Sequence, residues 1–367
     1  MTPIFDIAVI GGGIMGCGAA LRMDEGGMSV IILEQGDMGQ GASGVNAGTL
    51  SMQIKRVKLM PYAIKGHAEW EKMGEAVGFK RIGGYTLAFN DREAELLHER
   101  MTMKKEAGAN ISFVDPETLN KNEPHLANKI IAASYCPDDG YANSSLTGQF
   151  YRQKIEDKGI SFIERFKVTY IRSTSEGYEI NSGDRTVVAK RILLAAGGWT
   201  KNIADMLGVD LPIKARVNTV SVTERAPRLM NSVIGHATGL LTMKQKENGT
   251  ILIGGGWQGS GIPEQGRGTV SMESLVPNLQ LAKFAVPELS KIRVIRSWTG
   301  FEANVPDFYP LAGSLSNKEN AFVLGCVRGG YTIGPYISKL MGDFILGREP
   351  EMPLFDPARK IEEGRLI

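Results

Sequence analysis

The chain has 367 residues, enough for two or three domains, and its 43% hydrophobic and 22% charged residues are ordinary for a globular protein. A formal net charge of +2 gives no indication of binding to nucleic acid or to an anionic membrane surface. The cysteines Cys17, Cys136 and Cys326 lack the spacing of a metal site, which favours a reducing compartment and argues against a disulfide scaffold. Without a signal peptide or an apolar run that could span a membrane, we expect a cytoplasmic protein.

The first 34 residues predict a strand, a glycine turn, a helix and a second strand. An apolar run leads into residues 11–16, which read GGGIMG, and the second strand ends at Glu34. In this GxGxxG pattern Gly11 permits the tight turn, Gly13 lets a pyrophosphate approach the backbone, and Gly16 lets the helix lie close to the sheet. The helix N-terminus favours phosphates, and Glu34 can accept hydrogen bonds from a ribose diol. This pattern predicts a dinucleotide site.

A second GxGxxG sequence, residues 254–259, follows a predicted strand. Ser260, Gly261 and Pro263 come next and cannot easily begin a helix, and no second strand ending in an acid follows at the right distance. We therefore interpret residues 254–259 as a turn in a sheet.

The remaining elements follow from periodicity and from capping residues. Helices are predicted over 59–77, from Asn90 to Gly108, from Ser144 or Ser145 to Lys158, and from Pro335 to Leu346. Strands are predicted over 85–89, 160–163, 168–171, 191–199 and 321–325. Residues 212–253 alternate between strands and turns, and residues 296–300 begin a return segment. Antiparallel pairing of this kind suits a second domain.

With these elements in place, the chain resembles flavoproteins of the D-amino acid oxidase family over nearly its whole length. The resemblance rests on five segments in the family's order: residues 11–34, residues 41–48, residues 194–199, the stretch from Trp298 to Pro310, and residues 325–335. The stretch from Trp298 to Gly313 is most similar to the branch of glycine oxidase, opine oxidase, hydrogen cyanide synthase and hydroxyproline or proline dehydrogenase.

The resemblance implies an α/β fold in which a Rossmann-like FAD-binding domain is interleaved with an antiparallel-sheet substrate domain. The FAD-binding domain is expected to be discontinuous, with residues 1–85, 141–213 and 297–367, and the substrate domain to comprise residues 86–140 and 214–296. The flavin ring is implied to lie at the seam of the two domains.

The implied cofactor is FAD, held without a covalent bond, because the cysteine that some relatives use as a tether does not match Cys326 by position. The resemblance places the pyrophosphate at the GxGxxG turn, the adenosine ribose at Glu34, the adenine at the backbone of Val168, and the flavin ring at the start of the last helix. The implied cofactor-binding residues are Gly11, Gly13, Ile14, Met15, Gly16, Glu34, Gln35, Ala42, Ser43, Asn46, Ala47, Gly48, Val168, Ala196, Gly197, Trp199, Gly329, Gly330 and Thr332.

On the substrate side, Arg328 matches by position the arginine that contacts the substrate carboxylate in glycine oxidase. Its planar fork suits a carboxylate. Glu302 is a departure, because the family often has an arginine there; it can pair with a substrate amine or a cationic tail, or serve as a structural ion-pair partner. Tyr331 either lines the pocket or packs the helix start, and Thr49 is a further candidate on the catalytic side.

The expected activity is therefore oxidation of a small amino or imino acid, with a hydride passing from Cα to flavin N5 to give an imine. Two other classes stay open: a flavin hydroxylase or NAD(P)H-dependent reductase, and a non-catalytic FAD-binding subunit of a larger complex. Partner subunits that pass electrons on, or a homo-oligomer, are also expected from the resemblance. Reduction of the flavin by an amino acid without NAD(P)H would separate these classes.

Overall fold

The computed structural model describes residues 3–325 and 329–364. The strands of its first half are β1 Ile4–Ile10, β2 Val30–Leu33, β3 Thr49–Leu50, β4 Lys80–Arg81, β5 Gly84–Ala88, β6 Ser112–Val114, β7 Ala132–Cys136, β8 Gly140–Tyr141, β9 Ser161–Ile163 and β10 Tyr170–Thr174. The later strands are β11 Gly177–Ser182, β12 Arg185–Leu194, β13 Lys214–Thr223, β14 Val233–His236, β15 Thr242–Gln245, β16 Ile251–Gly254, β17 Val294–Asn304, β18 Leu311–Ser314 and β19 Ala321–Gly325. The helices are α1 Ile14–Glu25, α2 Ala42–Val45, α3 Met60–Met73, α4 Asp91–Glu106, α5 Pro116–Asn122, α6 Ser144–Asp157, α7 Thr200–Met206, α8 Met272–Ala285 and α9 Gly330–Ile345.

The described residues form two compact units. The first contains residues 3–45, 144–216, 301–325 and 329–364, and the second contains residues 46–143 and 217–300. The main difference from the division expected from the sequence concerns residues 46–85, which the resemblance places in the FAD-binding domain. They lie in the second unit, where β3 and β4 pair with β8 and β5 pairs with β7 and β14.

The first unit is built on a mixed sheet with the strand order β10-β11-β12-β1-β2-β9, and β19 joins β12 with β18 beside it. Strands β9, β2, β1, β12 and β19 run parallel to one another, whereas β11 and β18 pair antiparallel with β12 and β19. Residues 7–10 and 30–33 are buried, as expected for parallel strands covered on both faces. The carboxyl ends of parallel strands meet at one edge, and Gly11, Glu34 and Ala195 follow β1, β2 and β12 at this edge.

The second unit is built on a sheet with the order β17-β13-β16-β15-β14-β5-β7-β6. Its apolar core includes Tyr85, Ile234, Met243 and Ile253, together with residues of α5 and α8. A small sheet with the order β3-β8-β4 completes the unit.

Several sequence-based predictions of local structure are confirmed. Asn90 caps α4, where its side chain accepts from the Glu93 N–H at 3.0 Å, and Glu93 Oε2 accepts from the Phe89 N–H at 2.8 Å. The second GxGxxG sequence is a turn, because β16 ends at Gly254 and no helix follows Gly255 and Gly256. Cys17 is a buried free thiol in α1.

Two helices differ from the expectation. The last helix begins at Gly330, five residues before the predicted start, and Pro335 lies inside it. Helix α8, which was not predicted, also contains a proline, Pro277. The sequence predicts Pro335 as the start of the last helix, whereas this proline is accommodated within it. Within residues 3–325 and 329–364, none of the helices combines the length and the apolar character needed to cross a membrane.

Candidate functional site

The turn between β1 and α1 has the geometry that a dinucleotide requires. Gly11 has φ +117°, and a Cβ there would lie 2.4 Å from the Ala195 carbonyl oxygen. At Gly16 a Cβ would lie 2.0 Å from the Gly11 carbonyl oxygen, so only glycine lets α1 approach the strand this closely. A Cβ at Gly13 would meet only Ser43 Oγ, at 3.2 Å, so the space in front of Gly13 is open to a ligand.

The start of α1 is suited to an anion. Gly13, its N-cap, makes no side-chain capping bond, and the first turn contains no acidic residue. Ser43 Oγ accepts from the Ile14 N–H at 3.1 Å, which places the predicted residue Ser43 beside the turn. The helix dipole and the N–H groups of Gly13 and Met15 therefore favour a phosphate at this turn, where the Ile14 N–H donates to Ser43.

Glu34 lies next to the same turn. Its Oε2 accepts from the Gly12 N–H at 2.7 Å, and its Oε1 accepts from the Gly36 N–H at 2.8 Å. Burial raises the pKa of the Glu34 carboxyl, while these two N–H groups act in the opposite direction. The carboxylate is thus fixed at the end of β2, where it can accept hydrogen bonds from a ribose. Gln35, the next predicted residue, is exposed.

The Glu34→Ala substitution is expected to weaken FAD binding by about 1–3 kcal/mol, because charge-assisted hydrogen bonds to the ribose are lost. Titration of the apoprotein with FAD, followed by flavin fluorescence, measures the change. Asp37→Ala is the matched control, since Asp37 is half exposed and pairs with the exposed Arg165. Equal FAD affinity of Glu34→Ala and Asp37→Ala would show that Glu34 does not contribute to FAD binding.

The adenine side of the predicted site lies in the loops after β9 and β12. The Val168 side chain is buried in the core of the first unit, which leaves its backbone for the predicted contact. Gly197 has φ +55° in the short turn after β12. Trp199 packs edge-to-face on Phe301, with ring centroids 5.4 Å apart. Ala196 precedes this turn and packs against the same core.

The start of α9 brings together several predicted residues. Gly329 is the N-cap with φ +83°, and its N–H donates to Glu302 Oε1 at 3.2 Å. The Tyr331 hydroxyl shares a hydrogen bond of 2.7 Å with Thr147 Oγ1, and burial raises the pKa of this phenol. Thr332 is fully buried, and Gly330 is the first helical residue. Arg328 and Cys326 lie outside the described residues.

In the second unit, the predicted residues 46–49 form a tight turn. The Gly48 N–H donates to Asn46 Oδ1 at 2.6 Å, and Gly48 has φ +72°. A Cβ at Gly48 would lie 2.0 Å from the Ala142 carbonyl oxygen, so glycine is required. Ala47 lies within this turn, and Ala42 begins helix α2 of the first unit. Thr49 follows in β3, where its hydroxyl accepts from Lys244 Nζ at 2.7 Å.

Lys244 was not identified from the sequence, and neither was the buried network around Asp139. Asp139 accepts from Ser51 Oγ at 2.5 Å, from the Met52 N–H at 2.7 Å and from Gln53 Nε2 at 3.3 Å. Lys104 donates to the Gln53 carbonyl oxygen, and burial lowers the pKa of Lys104 to about 7. Lys244 lies in the four-residue strand β15, where the sequence pattern does not distinguish a buried lysine from a surface lysine. Its burial could therefore not be predicted from the sequence.

His236 and Trp257, both in the second unit, have packing roles. His236 stacks on Phe89 at 5.6 Å and forms a hydrogen bond of 3.1 Å with Glu93. Trp257 Nε1 donates to the Leu240 carbonyl oxygen at 2.7 Å.

The residues at the β1–α1 turn fit FAD, because the two crowded glycines, the open Gly13, a helix start without an acidic residue and the fixed carboxylate are all present. The family model for DAO, described as FAD dependent oxidoreductase, matches residues 6–344. The chain is also 26% identical to an opine oxidase subunit from Rhizobium meliloti over 341 residues, which are 88% of this chain and 89% of that protein.

Solved structures have the same fold. The glycine oxidase from Geobacillus kaustophilus matches with a TM-score of 0.90 at 24% identity, and the match covers 98% of this chain and 100% of that one. The L-proline dehydrogenase from P. horikoshii matches with a TM-score of 0.88 at 21% identity over 97% of this chain and 98% of that one. With the family model matched over nearly its whole length, this chain belongs to the DAO family of FAD-dependent oxidoreductases.

Proposed function

We propose that this protein oxidises the C–N bond of a small amino or imino acid. The family match over residues 6–344 carries the proposal, and the relatives named for glycine, opine and L-proline support this class of substrate. The candidate substrates are a D-amino acid, hydroxyproline or proline, sarcosine or glycine, and an opine.

The glycine turn and the start of α1 would hold the FAD pyrophosphate, and Glu34 would hold the adenosine ribose. When bound, FAD would supply the two-electron acceptor for a hydride from the substrate Cα. The N-terminus of α9 favours negative charge, and the Glu302 carboxylate already accepts from the Gly329 N–H there. FAD is proposed to be held without a covalent bond.

Arg328 is proposed to bind the carboxylate next to the reacting C–N bond. Its support is its position in the sequence, directly before Gly329 and Gly330, and its match to the corresponding arginine of glycine oxidase. A guanidinium provides two parallel N–H donors for a carboxylate, which fixes the orientation of the substrate as well as its position.

The Arg328→Ala substitution should lower kcat/KM at least about a hundredfold, an effect of ~2.7 kcal/mol, because a desolvated charge pair is costly to break from one side. FAD content should not change, and Arg328→Lys should restore only part of the activity, since an ammonium has no planar fork. Steady-state kinetics with the reactive acid measure both variants. Arg348→Ala, at a half-exposed arginine, is the control. Near-normal kcat/KM in Arg328→Ala would show that another residue binds the substrate carboxylate.

Glu302 is proposed to position the start of α9, because its carboxylate accepts the Gly329 N–H. A role in pairing with a substrate amine stays an alternative. Tyr331 is proposed to pack the helix start through Thr147, and Thr49 to lie on the catalytic side. The absence of an arginine at position 302 separates this chain from a simple glycine or D-alanine oxidase pattern.

An anaerobic screen of amino and imino acids, followed by bleaching of the flavin absorbance, tests the proposed function. Bleaching by an acid without NAD(P)H is expected. Bleaching by NAD(P)H alone would indicate a reductase or hydroxylase. A flavin that no acid and no nicotinamide reduces would indicate a non-catalytic role. Because the opine oxidase relative is itself named as one subunit of an enzyme, a parallel search for partners that pass electrons on is warranted.

A further inference from the structure

The loop that follows β2, residues 34–39 (the β2 loop), covers the glycine turn of the first unit. The Gly39 N–H donates to the Gly12 carbonyl oxygen at 2.9 Å, and the Gly12 N–H donates to Glu34 Oε2 at 2.7 Å. Met38 is 3% exposed, and a Cβ at Gly12 would lie 2.9 Å from its Cγ. Both backbone groups of Gly12 are thus bonded to the β2 loop, so a shift of this loop also shifts the glycine turn.

A second loop, residues 164–168 after β9 (the β9 loop), is bonded to the β2 loop. The Phe166 N–H donates to the Glu34 carbonyl oxygen at 2.8 Å, and the Arg165 N–H donates to the Gly36 carbonyl oxygen at 3.2 Å. Arg165 has φ +56°, a backbone conformation that residues other than glycine rarely adopt. The β9 loop therefore keeps an unfavourable conformation in the place where it bonds to the β2 loop.

The Glu164 side chain adds a further bond between the two loops. Its Oε1 accepts from the Met38 N–H at 2.8 Å and from the Arg152 guanidinium at 2.5 Å. Arg152 belongs to α6 and lies over the Phe162 ring, 5.3 Å from its centroid. Although burial acts in the opposite direction, Arg152 and the Met38 N–H lower the pKa of Glu164, so the group is a carboxylate at neutral pH. This carboxylate ties the β2 loop to α6.

The β9 loop ends at Val168, whose backbone is the predicted contact for adenine. The Val168 side chain is buried in the core of the first unit. Among residues 3–325 and 329–364, none forms a hydrogen bond with the Val168 N–H or C=O. These two groups are open to a ligand, and the bonds between the loops fix their spacing from Glu34.

We propose that Glu164, held by Arg152, is a positioning residue for the adenosine half of FAD. By fixing the Met38 N–H it sets the spacing between Glu34 and Val168, where the ribose and the adenine are expected. The inference rests on the FAD assignment made within the proposed function, and it does not depend on the substrate that is oxidised.

ADP and FMN test the two halves of the cofactor separately. ADP carries the adenosine and two phosphates, whereas FMN carries the flavin and one phosphate. The full-length apoprotein is titrated with ADP by calorimetry, and with FMN and FAD by flavin fluorescence. Glu164→Ala should weaken the binding of ADP and of FAD about tenfold each, because the Met38 N–H loses its acceptor. The binding of FMN should change by less than about twofold, because FMN has no adenosine.

Glu179→Ala is the matched control. Glu179 also forms an ion pair with an arginine of the first unit, Arg172, and its side chain is 27% exposed, against 20% for Glu164. It lies in β11, outside both loops. Glu179→Ala should therefore bind ADP, FMN and FAD like the parent protein.

Glu164→Gln separates positioning from charge. Glutamine keeps an oxygen that can accept from the Met38 N–H, so a positioning role predicts that most of the affinity for ADP is retained. Burial raises the pKa of the Glu34 carboxyl, and the charge of Glu164 adds to this effect. If the charge alone mattered, both Glu164→Ala and Glu164→Gln would bind ADP more tightly than the parent, and the inference would be overturned.

The other outcomes are equally separable. ADP and FAD binding in Glu164→Ala at the parent level would overturn the inference. Equal losses for ADP, FMN and FAD, with a lower thermal midpoint of the apoprotein, would also overturn it and reduce Glu164 to a support of the fold. If Glu164→Ala does not fold, Arg152→Met decides, since weaker ADP and FAD binding with unchanged FMN binding supports the inference and binding at the parent level overturns it.

Failure of the inference is distinguishable from failure of what it rests on. Unchanged ADP binding in Glu34→Ala would refute the assignment of the adenosine ribose to Glu34, and the inference with it. A flavin that no amino or imino acid reduces would refute the proposed function, while the titrations with ADP, FMN and FAD would still decide the role of Glu164.

Discussion

A Gly16→Ala variant is expected to lose its FAD and to unfold at a markedly lower temperature. The new Cβ would lie 2.0 Å from the Gly11 carbonyl oxygen and 3.2 Å from Val9 Cγ1. The nearest atom belongs to the backbone of the turn, so no flexible side chain can move to relieve the contact. Overpacking costs about 1–3 kcal/mol where side chains can shift, and we expect at least the upper value here. Moving α1 away from β1 would also displace the N–H groups that face the pyrophosphate.

The ratio of flavin to protein absorbance after purification, together with thermal unfolding, measures this effect. Gly41→Ala is the control, because a Cβ at Gly41 meets no atom within 4 Å and its φ is not positive. It should retain FAD at the parent level. A yellow, fully loaded Gly16→Ala protein would show that the turn is not built as described and would weaken the assignment of the pyrophosphate to it.

The Asp139→Ala substitution should destabilise the protein by about 3–5 kcal/mol, the cost of removing one partner from a buried charged network. Asp139 is 1% exposed and holds Ser51, Met52 and Gln53 through three hydrogen bonds. Its removal leaves buried donors without an acceptor, each at about 1–3 kcal/mol. It also removes the negative charge that favours the protonated form of Lys104.

Denaturant unfolding of Asp139→Ala and of the neighbouring Asp138→Ala provides a matched pair. Asp138 lies 3.9 Å from Arg81 at the surface, and its removal should change the free energy of unfolding by no more than about 0.5 kcal/mol. Asp139→Asn, which keeps an acceptor oxygen, should lose less than Asp139→Ala. Similar stabilities of Asp139→Ala and Asp138→Ala would show that the network does not hold the loop from Ser51 to Gln53.

Features that depend on neighbours in sequence were predictable. The β1–α1–β2 unit with Glu34, the Asn90 cap and the turn at 254–259 all follow from spacing within short segments. Each depends on local backbone rules for glycine, for capping side chains and for apolar periodicity, and the chain obeys these rules.

Features that depend on pairing between distant strands were not predictable from the sequence. Strand β5 pairs in parallel with β14, well over a hundred residues later, and β3 and β4 pair with β8, so that residues 46–85 lie in the second unit. The burial of Lys244 likewise depends on which strands flank β15 and on which face its side chain lies. The sequence alone reveals neither the strands that flank β15 nor the face on which Lys244 lies, because alternation within a four-residue strand does not show what covers each face.

An anaerobic single turnover tests the central claim most directly. The holoenzyme is mixed with the amino or imino acid found in the screen, without NAD(P)H, and both the loss of flavin absorbance and the carbonyl product formed by hydrolysis of the imine are measured. We predict one equivalent of carbonyl product for each flavin reduced, because breaking the C–H bond next to nitrogen supplies the two electrons that the flavin accepts. Reduction of the flavin by NAD(P)H alone, or reduction without carbonyl product, would contradict the account.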